Sequence, residues 1–192
     1  MLGVPRLTFF AALGAVLERG GDYRDVFGVF GAADWRDRLD EVETRYGGFA
    51  GHDLYPDALR ALAALRAAGY RIAIVANQPA RRETELRGIG VEAEVMAMSD
   101  DIGLWKPDPR FYARTLELLG SPDPATVAYV GDRVDNDVLP AMAAGMRAVW
   151  LRRGPWGSIA TLPPGVEPAL VIGSLDELVD RIGDAWPSGA RV

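Results

Sequence analysis

Three carboxylates fall within six positions of this 192-residue chain, at Asp132, Asp135 and Asp137, directly after an apolar run. Val127 to Val130 has the character of a short buried strand, and Gly131 allows a tight exit. A helix is predicted over Val138 to Ala144, with Pro140 tolerable in its first turn and Gly145 closing it. Carboxylates gathered where a parallel strand ends suit a hard divalent cation with oxygen ligands, here Mg2+. Open α/β sheets bind ligands outside the carboxyl ends of their strands. A single Asp in such a place could equally cap the next helix, as Asp137 could. The whole string is a far more specific pattern than any one member.

Lys106 is the second candidate, and it is the only lysine among 21 basic side chains. It sits in Trp105-Lys106-Pro107-Asp108-Pro109, ahead of a helix with Asp108 as its predicted N-cap and Pro109 in its first turn. A compact ammonium suits a phosphate or an acyl phosphate as a point charge, where a guanidinium would bind as a planar fork. A solvated loop lysine is the alternative.

Composition narrows the chemistry. A net charge of −6 and the lack of any basic block argue against a nucleic-acid surface. The chain has no cysteine, which excludes disulfides, thiol catalysis and Cys-ligated zinc. Its single histidine, His52, makes a histidine-rich metal site or a Ser-His-Asp triad improbable. The apolar run Leu7 to Leu17 is too short to span a bilayer and lacks a small-residue cleavage site after it. No membrane role is expected, and the chain is expected to be cytoplasmic.

The elements that must carry these residues follow from periodicity. The first third is helical, with helices predicted at 7–19, 23–30 and 35–46. Pro56 then opens a helix that should carry Leu59, Leu62 and Leu65 inward. Arg71 to Ala76 is a continuous apolar run, the mark of a strand covered on both faces. After it come helix 80–87, strand 94–98, helix 110–119, strand 127–130, helix 138–144, strands 148–151 and 169–172, and helix 175–182. Residues 152–168, rich in Pro and Gly, are expected to form a loop. The alternation predicts an α/β fold around a parallel, doubly wound sheet.

From Leu54 to Ile182 the chain resembles the haloacid dehalogenase-like (HAD) hydrolase superfamily. Leu54 through Gln78 is similar to the family's helix and strand leading to its second motif, Trp105-Lys106-Pro107-Asp108 to its third, and Gly131 through Asp137 to its fourth. The resemblance implies a Rossmannoid parallel sheet with helices on both faces and a small N-terminal helical cap. On that division, residues 1–53 are the cap region, 54–183 the core and 184–192 a tail. It also implies phosphoryl transfer through a covalent aspartyl phosphate. Lys106 would stabilise the developing charge as a catalytic residue. Asp132 and Asp137 would hold Mg2+, with Asp135 and Asn136 behind them. Ala76, Asn77 and Gln78 would line the phosphate pocket, the two amides as donors.

Two departures bear on activity. The family's first motif, an apolar strand ending Asp-x-Asp, has no match in residues 1–55, and Ala76 stands where Thr or Ser is usual. In the family the first strand lies between the two strands assigned here to Arg71–Ala76 and Val127–Val130. Without it those strands would face a gap with unpaired backbone groups. The expected function is therefore a Mg2+-dependent phosphatase of a small phosphorylated metabolite, inactive as written because the nucleophile strand is missing. One alternative is a catalytically dead binding or regulatory module, with Phe9 to Leu17 as a degenerate first motif; another is a 2-haloacid dehalogenase. Trp35, Tyr46, Phe49, His52 and Trp156 are candidates to touch substrate or to pack their own surroundings. An exposed sheet gap would favour self-association, so a homodimer is possible.

Overall fold

Apolar runs flanked by Gly and capping residues produce alternating helices and strands, described by a computed structural model for residues 3–186 other than 22–23, 33, 35–36, 38–40, 42–43 and 45–46. In chain order these are α1 (Arg6–Glu18), α2 (Asp25–Val29), α3 (Ala58–Ala67), β1 (Ala73–Ala76), α4 (Arg82–Gly88), β2 (Val95–Met98) and α5 (Ser99–Ile102). There follow α6 (Pro109–Leu118), β3 (Ala128–Gly131), α7 (Leu139–Ala143), β4 (Arg147–Leu151), α8 (Gly154–Ile159), β5 (Leu170–Ile172) and α9 (Leu175–Arg181). The predicted helix over 35–46 lies largely outside the described residues.

All strand pairs are parallel, and β4 shows how the core is built. Ala148 and Trp150 point to one face, where Phe111 and Tyr112 of α6, Tyr129, Val138 and Ala141 pack on them. Val149 points to the other, against Leu65 of α3, Leu170, Ile172 and Leu178 of α9. That two-residue alternation puts helices on both faces of the sheet, as expected. Local sequence sets the helix starts: the Asp108 carboxylate accepts from the Arg110 N–H at 2.9 Å with Pro109 behind it, and Ser174 Oγ accepts from the Glu177 N–H at 3.1 Å.

The sheet is divided. β1 pairs with β2, and β3 pairs with β4, which pairs with β5; no pairing joins β1 to β3. Between them lies a cavity of ≈ 550 Å³ lined by Ile72–Val75 on one side and Val127–Val130 on the other, with Leu65, Leu178 and Lys106 also on its wall. Among the described residues no strand precedes β1, and Phe9–Leu17 is helical within α1. The α1 helix has no buried residue; Leu7 and Phe10 are exposed, and it packs against α8.

Several details depart from the sequence reading. Leu59 faces solvent at 42% exposure, and Ala61 and Leu65 are the buried residues of α3. The predicted loop at 152–168 contains α8. The helix after the acidic string is preceded by a five-residue π turn, Val134–Val138.

A buried anchor ties the start of α3 to the segments after β4 and β5. The Asp57 carboxylate accepts from Arg153 Nη1 at 2.8 and 2.7 Å and from the Leu175 N–H at 2.8 Å, while the Arg153 guanidinium stacks 3.8 Å from the Tyr55 ring centroid. Burial pushes the Asp57 carboxyl up, but these hydrogen bonds and the Arg153 charge outweigh it and hold it below the ordinary 3.8. A carboxyl depressed in the folded state contributes stability above its unfolded value and loses it as the pH falls through its folded value. Asp57→Asn is therefore predicted to lower the unfolding free energy at pH 7 by about 2 kcal/mol, with the difference from the parent shrinking in acid. Urea unfolding at pH 7 and at a series of pH values below the ordinary 3.8 measures both quantities.

Candidate active site

The carboxyl ends of β1 and β3 meet at Lys106. Its side chain, 14% exposed, donates from Nζ to Asp137 Oδ1 at 2.7 Å, and the Asp137 side chain is 6% exposed. Asp137 Oδ2 accepts from the Arg133 N–H at 3.0 Å, so both carboxylate oxygens are engaged. The π turn produces this arrangement by folding Asp137 back over the exit of β3. A Cβ added to Gly131 would come within 2.6 Å of Asp137 Oδ2, so this position has to be glycine for the carboxylate to lie there.

The Lys106 main chain is held from β1. Asn77 Nδ2 donates to the Lys106 carbonyl at 2.9 Å, and the Lys106 N–H donates to Asn77 Oδ1 at 2.7 Å. Ala76 is the last residue of β1 and brings no hydroxyl. Gln78 turns away from the slot: its N–H donates to the Ala76 carbonyl at 3.0 Å, and its Oε1 accepts from Arg82 Nε at 3.2 Å.

Asp132 stands at the end of β3, its carbonyl accepting from Trp150 Nε1 at 3.2 Å. Burial, reinforced by the nearby Asp137 charge, pushes its carboxyl above the ordinary 3.8. The segment after β4 reaches the same place: a Cβ on Gly154 would lie 3.2 Å from the Tyr55 hydroxyl and 3.8 Å from Asp132 Oδ2. Asp135 points outward, 64% exposed, and pairs with Arg133, whose guanidinium lies 5.6 Å from the Trp156 ring centroid. Burial raises the Asp135 carboxyl less than the Arg133 hydrogen bonds and charge lower it. Asn136 contributes its carbonyl, which accepts from the buried Tyr112 hydroxyl and fixes the turn.

Ala76, Asn77, Lys106, Asp132 and Asp137 thus converge at one end of the slot, with Gln78 beside them and Asp135 on the rim. Of the candidate substrate residues, Phe49 lies under the Arg82 guanidinium at 4.2 Å, the His52 side chain is 85% exposed, and Trp35 and Tyr46 fall outside the described residues. Gly131 was singled out from the sequence only as a strand exit, and Tyr55 and Gly154 not at all. Tyr55 lies far from the acidic string in sequence, and only the fold brings it near.

A divalent cation fits these residues in part. Among the described residues no three His, Cys, Asp or Glu side chains gather as a complete ligand set. Asp132 is the carboxylate the chain offers directly, crowded by a second anion and therefore favourable to positive charge. Asp137, with both oxygens engaged, would contribute charge beside a cation rather than bind it directly.

Comparison with known proteins gives a consistent picture. The family model described as haloacid dehalogenase-like hydrolase matches residues 4–145. A phosphoserine phosphatase from Thermus thermophilus is 35% identical over 130 residues, 66% of this chain and 50% of its own length. A phosphoglycolate phosphatase from Cupriavidus necator is 33% identical over 191 residues, 97% of this chain and 72% of its own. The chain thus spans about half the length of the first of these relatives. A HAD phosphatase structure from Thermococcus onnurineus superposes with a TM-score of 0.60 at 28% identity, covering 93% of this chain and 80% of that one. Among the described residues no helix is long and apolar enough to cross a membrane.

The raised Asp132 carboxyl has a measurable cost. A group whose folded pKa lies above its unfolded value loses its stabilising share as the pH rises through the folded value. In metal-free buffer at pH 7, Asp132→Asn is therefore predicted to raise the thermal midpoint by about 2–4 °C. The advantage should shrink as the pH falls toward the ordinary 3.8, and calorimetry across that range measures it.

Proposed function

The chain belongs to the haloacid dehalogenase-like hydrolase family, and we propose that its site serves a Mg2+-dependent phosphatase of a small phosphorylated metabolite, with the attacking carboxylate on a strand seated between β1 and β3. One observation carries this reading: Lys106 lines the slot between the half-sheets, pairs with Asp137 and lies close enough to Asp132 for their charges to interact. A strand there would satisfy the free edges of both neighbours and deliver its last residue beside the ammonium.

In the proposed reaction a carboxylate oxygen of that strand attacks phosphorus, and the bond from phosphorus to the ester oxygen breaks. The leaving oxygen takes a proton from the second Asp of that strand's Asp-x-Asp, and water then cleaves the acyl phosphate to inorganic phosphate and the free carboxylate. Lys106 faces the phosphoryl oxygens and offsets their growing charge, and Asp137 holds it there. Asp132, with Asp137 behind it, would hold Mg2+, which when bound supplies positive charge against the phosphoryl oxygens. The relatives that hydrolyse phosphoserine and phosphoglycolate support a small, anionic phosphate ester as substrate.

A second reading, a non-catalytic module of the same fold, draws on Ala76, which puts a methyl group where the family's hydroxyl would meet the phosphoryl group. Turnover separates the two. An apolar strand ending Asp-x-Asp, appended through a flexible linker ahead of Met1, should confer Mg2+-dependent hydrolysis of p-nitrophenyl phosphate. Asp132→Asn and Lys106→Ala should each reduce it by about 10²–10³-fold. Undiminished hydrolysis in both variants would overturn the site assignment, and no hydrolysis from a strand-bearing protein shown to be folded would favour the non-catalytic module.

A further inference from the structure

We propose that Asn77 is a positioning residue for Lys106: it acts on the site by fixing the lysine backbone, from which the ammonium is aimed at Asp137. Its catalytic consequence rests on the phosphatase reading; its geometry does not. The Asn77 side chain accepts the Lys106 N–H at 2.7 Å and donates to the Lys106 carbonyl at 2.9 Å. That exchange of two hydrogen bonds with one residue is what a neighbouring strand residue supplies in a sheet.

Lys106 has need of it. The lysine lies between α5 and α6 in a segment that belongs to no strand. Trp105 before it is 51% exposed, and Pro107 after it has no N–H to donate. The segment's own bond, from the Asp108 N–H to the Trp105 carbonyl at 2.9 Å, spans Lys106 without using its polar groups. The side chain beyond is a flexible four-carbon stem, and a shift at its root moves the ammonium away from Asp137. Asn77 also directly follows β1, whereas Asp137 lies in the turn that follows β3. The clamp therefore sets the position of the ammonium relative to both half-sheets.

The chain's single lysine makes the test direct. Labelling with [15N]lysine gives one side-chain ammonium signal, and hydrogen exchange at Nζ reports its bond to Asp137 without any turnover. The unmodified chain should show a protected ammonium, and Asp137→Asn should abolish the protection. Asn77→Ala should speed exchange about tenfold, the factor expected for a lost hydrogen bond of ordinary net strength. Asn77→Asp keeps an acceptor for the Lys106 N–H and should fall between. If Asn77→Ala fails to fold, Asn77→Asp decides the matter. A folded Asn77 variant with a lowered thermal midpoint but parental ammonium exchange would overturn the proposal and leave Asn77 a purely structural residue. Because no substrate is involved, failure of the phosphatase reading would leave this result standing, and the reverse also holds.

Discussion

The buried ion pair between Lys106 and Asp137 is the constraint on which the arrangement of the site depends. The two half-sheets share no ladder hydrogen bonds, yet their carboxyl ends are brought to one point by this pair and by the Asn77 clamp behind it. Ion pairs out of water repay their desolvation only when the remaining polar groups are satisfied. Here the second oxygen of Asp137 is taken by the Arg133 N–H, and glycine at 131 leaves room for the carboxylate. Such a pair is better suited to fixing geometry than to adding net stability. At this position the geometry it fixes is that of a cation poised at the end of a slot.

The slot itself runs against the usual economy of a folded core. Backbone groups along one edge of β1 and one edge of β3 line an apolar cavity where a sheet would normally continue. Tyr129 adds to this cost: its hydroxyl is buried without a hydrogen-bond partner among the described residues. Asp132 adds again, as a carboxyl raised by burial and by a like charge. Unsatisfied edges, an orphan hydroxyl and crowded anions all lie along or at the end of one slot. A single extended strand bearing a carboxylate, with a cation at its tip, would relieve the edges and the charge together. That concentration of unmet polar demand is the physical ground for the phosphatase reading.

The features of the fold legible in the sequence are those written into short stretches. Apolar runs at 72–76 and 127–130 mark strands whatever surrounds them, and Asp108-Pro109 marks a helix start. The spacing of Asp132 and Asp137 was legible for the same reason, since one turn joins them. What depended on distant partners was not. Leu59 has the periodicity of a core residue but turns out to be exposed, and the Pro- and Gly-rich stretch after β4 holds a short helix against which α1 rests. The two bonds from Asn77 to Lys106 bridge 29 positions, and no local pattern announces them. Asn77 reads from the sequence as a donor beside a phosphate pocket; the fold engages its amide with the lysine backbone.

Amide hydrogen exchange across the slot decides whether a strand belongs between β1 and β3. In the chain alone, amides of Ala73–Ala76 and Ala128–Gly131 that point away from β2 and β4 should exchange quickly, while those paired to β2 and β4 are protected. With an appended Asp-bearing apolar strand, the fast set in both β1 and β3 should become protected together. If those amides are already protected in the chain alone, or if only one strand responds, the slot between β1 and β3 is not the seat of a strand.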